Sequence, residues 1–482
     1  MRRSTALLTL LAMMLMLCIT TARADSEAVE GKAIIRLAVD ARDLPRNLLT
    51  SEMTIIAKEG IDQLAFPLWM PGNHAPSGPV QNIAGIEVFG CDGEPVSWMR
   101  SMENPERFDL DLPEDCNTIT VRMRYIASQP SVISGSSDSY GRPTFGGINW
   151  NTVVMYPIGF DGDEYTHQNT MVVPTLRADE RWRAACAIPS LDGRSTVYDS
   201  PSPWELSPVS LATLVDSPVV LGERMNTVDL EPVSGAPHRF HAVASEERFT
   251  ELHDWFIDDL NEMHEQAVKI FGPFPRDRFE YLTVLDDRVR FGIEHGECTY
   301  IGTKQRRLID AEETDLKGGG GDLTVIPHEY IHVWCGKLRA PVGMRNEAFH
   351  EPRVTDGLWV YEGLTTYYTD VLAARAGMLT REQYEHRLAR TIVGYQQRVG
   401  RAWRPLTDTA RAAGLLRDRG EYWIDYRRGQ DYYREGALFW MEADAIIREK
   451  TDGEKTLDDF CKAFFDVPAK PIGDIATFTR SE

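Results

Sequence analysis

Val325-Ile326-Pro327-His328-Glu329-Tyr330-Ile331-His332 decides how this chain is read, because it sets two histidines four residues apart with a glutamate beside the first. On a helix, positions i and i+4 share one face, so His328 and His332 can hold a single zinc ion through their ring nitrogens. Glu329 then stands next to the metal, where it can take a proton from an activated water. The flanks permit a helix. Thr324 or Asp322 can cap its start, and Pro327 falls in the first turn, where amide protons lack intrahelical partners. The Gly318 to Gly321 run just upstream is a flexible approach to that cap.

Such a short pattern also arises by chance in roughly one chain in a hundred, so a third ligand is needed to give it weight. The segment from Leu358 to Tyr368 offers one. Asp356 is placed to cap it, and Gly377 to end it. Glu362 sits there among Trp359, Val360, Leu364 and Tyr367, and a carboxylate in apolar company needs a counter-ion. One zinc ion per chain is therefore expected on His328, His332 and Glu362, with water in the fourth position.

His328-Glu329-Tyr330-Ile331-His332-Val333-Trp334, followed by Trp359-Val360-Tyr361-Glu362-Gly363, resembles the glycyl aminopeptidase family of zinc metallopeptidases. That family is a gluzincin branch related to the aminopeptidase N family. Further pieces come in the family's order: Pro67-Leu68-Trp69-Met70-Pro71-Gly72, Leu214-Val215-Asp216-Ser217-Pro218, Gly292-Ile293-Glu294-His295, and Tyr433-Arg434-Glu435-Gly436. The resemblance implies that Glu294 binds the substrate's free ammonium, with Gly292 and His295 shaping the S1 side of the cleft. A carboxylate there selects exopeptidase action, since an internal peptide brings no charge to pair with it. It also implies that Tyr433 donates to the oxyanion of the tetrahedral intermediate. Tyr432 competes for that role, and the three-residue offset to Gly436 favours Tyr433. Relatives commonly carry a PDZ domain after the helical region; beyond Phe460 the sequence leaves no room for one, at on the order of 80–100 residues.

Residues 1–24 read as a secretory signal peptide: Arg2 and Arg3, an apolar run from Ala6 to Ile19, then Ala22-Arg23-Ala24 as cleavage site. The run is too short for a spanning helix, and Leu17 before Cys18 argues against lipidation. A soluble, periplasmic or secreted protein without stable membrane insertion is expected. The formal charge of −21 grows more negative once the leader's arginines are removed, which disfavours nucleic acid and anionic membrane as partners. Cys91, Cys116, Cys186, Cys298, Cys335 and Cys461 remain, at spacings that suggest neither a disulfide framework nor a metal site. A Cys298–Cys335 bridge stays open.

The expected fold is α+β and multidomain. Residues 25–240 alternate apolar and polar in short runs (Ile35, Leu37, Val39; Ile119, Val121, Met123), which predicts an antiparallel β-sandwich. Residues 241–378 predict a thermolysin-like catalytic domain, opened by a helix with Phe256, Leu260, Met263 and Ala267 on one face and followed by strands at Phe279–Leu285 and from Arg290 to Ile301. Residues 379–482 predict a helical region. His74, His167, His253, His264, His350 and His386 lack ligand spacing and read as surface or structural histidines. The reading is an exported zinc aminopeptidase acting on peptides with small N-terminal residues. Its alternatives are a thermolysin-like zinc endopeptidase and a catalytically idle peptide-binding homologue.

Overall fold

The computed structural model describes residues 33–57, 60–113, 116–128, 138–158, 165–306, 308, 323–416 and 423–481. The expected signal peptide, the Gly318–Gly321 run and Asp322 lie outside them.

The first body is β-rich. Ala33–Asp40, Leu48–Ala57 and Thr118–Ile126 lie side by side in a seven-stranded sheet, each burying alternate residues as a two-residue period requires. A four-stranded and a five-stranded sheet share its core, in which Met53, Tyr125, Trp150 and Trp182 are fully buried. Among the described strands of this body pairing is antiparallel, except that Ala33–Asp40 runs parallel to Thr170–Arg177; an isolated bridge between Ser128 and Tyr140 is also parallel. Parallel neighbours need a long crossover, and here the intervening strands supply it. Cys91 and Cys116 form a disulfide in this body, whereas Cys186, Cys298, Cys335 and Cys461 are free and buried. There is accordingly no Cys298–Cys335 bridge.

The second body begins earlier than residue 241. Strands Met225–Val233 and Ala236–Ala244 form a hairpin that pairs onward to Phe279–Leu285, so part of the stretch assigned to the sandwich belongs to the catalytic sheet. The run from Arg290 to Ile301 is two strands rather than one. Phe291–Glu294 turns back at His295 and pairs antiparallel with Cys298–Thr303, which leaves Phe291–Glu294 at the sheet edge. Helix Asp254–Phe271 buries Phe256, Leu260, Met263, Ala267 and Ile270, the stripe expected of an amphipathic helix. Among the described residues no helix is long and apolar enough to cross a membrane.

Two seams bind the bodies. In the first, the amides of Leu68 and Trp69 both donate to the Phe349 carbonyl (3.0 and 2.7 Å), and Arg353 Nη1 donates to the Met70 carbonyl (3.0 Å). In the second, Asp216 Oδ1 accepts from Lys337 Nζ (2.8 Å) and His295 Nδ1 (2.9 Å), while Oδ2 accepts from the Gly296 amide (2.7 Å). Burial opposes charge on Asp216, but the Lys337 ammonium and His295 outweigh it and hold the carboxyl well below the usual range. The stabilisation is therefore complete above the ordinary aspartate value of about 3.9 and fades only as pH falls toward the lower folded value. Asp216→Asn strands a buried ammonium and should cost about 3–5 kcal/mol, read as a lowered denaturant midpoint at neutral pH. An unchanged midpoint would show that Lys337 finds another partner.

Candidate metal centre

Helix Val325–Ile331 carries the motif, with Pro327 in its first turn. Thr324 holds the cap position but makes no capping bond. Its hydroxyl instead accepts from Arg387. The return segment is broken into Leu358–Tyr361 and Gly363–Arg375, preceded by Gly357 rather than capped by Asp356. Glu362 lies at the break and is 2% exposed.

Three donor atoms converge. His328 Nε2 and His332 Nε2 are 3.2 Å apart, and Glu362 Oε2 lies 3.3 Å from the first and 3.4 Å from the second. A tetrahedral ion with ligand distances of about 2.0–2.1 Å separates its ligands by about 3.3–3.4 Å, so the triangle is the size that zinc requires. The protons agree. The Thr369 hydroxyl donates to the Thr365 carbonyl (2.8 Å) and hence accepts from His328 Nδ1–H (3.0 Å). His332 Nδ1–H donates to the Cys335 carbonyl (2.8 Å). Both Nε2 atoms are left with bare lone pairs facing each other, an arrangement that calls for a cation between them. Glu362 Oε2 is buried and makes no hydrogen bond, another sign of a missing positive partner. Burial would lower the His332 pKa, yet the carboxylates of Glu294 and Glu362 raise it to about 10, so positive charge is favoured at Nε2, where a metal ion takes the place of a proton.

Glu329 and Glu294 complete the cluster, with donor atoms of Glu294, Glu329 and His332 all within 4.8 Å of one another. Burial and the adjacent Glu294 push the Glu329 carboxyl well above its ordinary value. Burial acts on Glu294 in the same sense, but His332 and Lys337 prevail and lower it. Glu294 Oε1 accepts from the Tyr361 hydroxyl at 2.5 Å. Gly292 is the floor of this cluster. A Cβ there would lie 2.2 Å from Val325 Cγ2 and 2.3 Å from Glu329 Oε1, so only glycine lets the helix approach the edge strand. Gly292→Ala should displace Glu329 and cost about 1–3 kcal/mol of stability together with turnover; full turnover would mean that the helix yields without moving Glu329. His295 is occupied by Asp216 through Nδ1, in the seam between the bodies.

Tyr433 stands beside His328. Its ring stacks against His328 with centroids 6.1 Å apart. It also lines a cavity of about 680 Å³ together with Val325, His328, Thr369, Arg387 and Arg434. Tyr432 is fully buried, so Tyr433 is the tyrosine that faces the cleft. Its helix, Asp431–Lys450, is clamped at the start by buried Arg428, which donates to Asp431 (2.6 Å) and Glu435. Gly436 meets Gly363 where this helix crosses the return helix; a Cβ on either glycine would lie 2.9–3.0 Å from the other's Cα. The paired glycines let the helix that carries Tyr433 pack closely on the segment that carries Glu362, which explains why glycine follows glutamate in one motif and ends the other.

One histidine expected to be a surface or structural residue is instead a neighbour of the triad. His74, 1% exposed, bonds through Nε2 to Glu362 Oε1. Nothing in its spacing pointed there, although it stands two residues beyond the Pro67–Gly72 motif.

Residues 36–223 match the M61 peptidase N-terminal domain, and residues 322–439 match the M61 glycyl aminopeptidase domain; together they cover well over half of the chain. No curated protein matches the sequence. Among solved structures, an aminopeptidase N family protein from Idiomarina loihiensis superposes with a TM-score of 0.72 at 21% identity, over 89% of this chain and 70% of the other. A variant of the M1 zinc metallopeptidase from Deinococcus radiodurans superposes with a TM-score of 0.50 at 13% identity, over 94% and 89%. These likenesses establish the shared fold: a β-rich N-terminal domain followed by a zincin-type domain and helices. The two sequence matches settle the membership, and the chain belongs to the M61 glycyl aminopeptidase family of zinc metallopeptidases.

Proposed function

We propose that this protein is an exported aminopeptidase that removes small N-terminal residues, glycine or alanine, from peptides, with one zinc ion per chain on His328, His332 and Glu362. The observation that carries the reading is a second buried carboxylate, Glu294, within 4.8 Å of Glu329 and His332 donors, beside a triad whose His328 is stacked by Tyr433. When bound, zinc supplies Lewis acidity to a water and to the scissile carbonyl. Glu329 accepts the proton of the attacking water and returns it to the leaving amine. The Tyr433 hydroxyl donates to the carbonyl oxygen as it gains charge. Glu294 pairs with the free ammonium, and the edge strand Phe291–Glu294 offers its backbone to the peptide. Gly72 supports the preference for small residues, since a Cβ on it would stand 2.8 Å from Glu294 Oε2 and little room remains there. The cavity beside His328 and Tyr433 takes the remainder of the peptide.

The Cys91–Cys116 disulfide favours an oxidising compartment, in keeping with the leader at residues 1–24. Mature protein isolated outside the cytoplasm should begin at Asp25. Glycyl and alanyl anilides should be cleaved, N-acetylated peptides should not, and a chelator should abolish turnover until zinc is restored. Cleavage of blocked peptides at comparable rates would favour an endopeptidase, and no cleavage of either an idle homologue.

A further inference from the structure

We propose that His74, supplied by the N-terminal body, is a positioning residue of the metal centre: it holds Glu362 so that one oxygen alone faces the ion. Metal affinity then depends on the docking of that body. The inference rests on the reading that His328, His332 and Glu362 bind zinc.

His74 and Glu362 stand 288 residues apart and meet only through the fold. His74 Nε2–H donates to Glu362 Oε1, whereas Oε2 alone faces the two histidine nitrogens, at 3.3 and 3.4 Å. The terminal torsion of a glutamate is broad, so an untethered carboxylate can turn either oxygen, or both, toward an ion. His74 removes that freedom. No hydrogen bond reaches its Nδ1 among the described residues, so Glu362 is the polar engagement its side chain makes. The ring sits edge-on to Tyr361 (centroids 5.6 Å) and Tyr432 (6.3 Å), in a dry aromatic setting where a hydrogen bond to a carboxylate is strengthened.

The loop that carries His74 is fixed rather than loose. Leu68 and Trp69 hang on the Phe349 carbonyl, Arg353 holds Met70, the Asn73 amide donates to the Met70 carbonyl (3.2 Å), and the Gly78 amide closes back on Leu68 (2.9 Å). Gly72 takes φ +76°, and a Cβ there would stand 2.6 Å from Ile293 Cγ1. The turn is thus seated on the edge strand beside Glu294. The first body therefore contributes a group to the ligand shell in addition to walling the cleft.

The test is zinc affinity of the full chain, stripped of metal and titrated against a competing chromophoric chelator. His74→Phe keeps the ring and removes the donor; it should weaken zinc binding about 10–100-fold, the effect usual for lost partners of metal ligands. His74→Gln can still donate and should recover part of the affinity, while the shorter His74→Asn should not. Thermal unfolding of the metal-free proteins should differ little. Parent-like affinity in His74→Phe overturns the inference. So does equal loss in the Gln and Asn variants with a matching drop in metal-free stability, which would make the ring a packing element. If His74→Phe does not fold, the Gln–Asn pair decides. Failure of the parent itself to bind zinc would overturn the metal reading and this inference with it, whereas tight parental binding confines any failure to His74.

Discussion

Glu329→Gln should keep its zinc and lose turnover by a factor of about 10²–10⁴, the range that a positioned proton-transfer group supplies. The amide is nearly isosteric, so Gly292 and Val325 still accommodate the side chain against the edge strand. None of the three converging donor atoms belongs to it. What disappears is the capacity to accept a proton beside the triad. Metal content and kcat measured on one preparation separate the two effects. Turnover that survives would remove Glu329 from proton transfer, and loss of metal would instead make it part of the binding shell.

What could be read in the sequence follows from how local each signal is. His328 and His332 share a face because of the helical period, and Glu329 comes with them. Glu362 was legible because an acid among Trp359, Val360 and Leu364 has no stable environment unless something positive meets it. The alternation in Ile35–Val39 and Ile119–Met123 likewise announced half-buried strands. Pairing partners carry no such local mark. The parallel contact of Ala33–Asp40 with Thr170–Arg177, and the membership of Met225–Ala244 in the catalytic sheet, are fixed by chain connections across long separations. The turn at His295-Gly296-Glu297 leaves no clear local mark because both flanks are strand-like. His74 is the extreme case, since its meaning exists only once two bodies have docked. Thr324 shows the reverse: its hydroxyl has the capping chemistry, but Arg387 takes it.

Glu294→Ala decides between removal of terminal residues and internal cleavage. In the wild-type protein the carboxylate is buried, held by the Tyr361 hydroxyl and covered by the Gly72 turn, so a charge arriving beside it meets little competing water. Truncating one partner of such a pair costs about 2–5 kcal/mol, which predicts a fall in kcat/KM on free-amine substrates of about 30-fold to several thousandfold. KM should rise because the ammonium loses its partner. kcat should also fall if that pairing aligns the scissile bond with Glu329 and Tyr433. N-acetylated peptides carry no ammonium, so they should be poor substrates before the change and be altered far less by it. Zinc content should hold, because Glu294 provides none of the three converging ligands. An equal loss on free and acetylated peptides would mean that Glu294 only supports Tyr361 and the edge strand, and the endopeptidase reading would then be the better one.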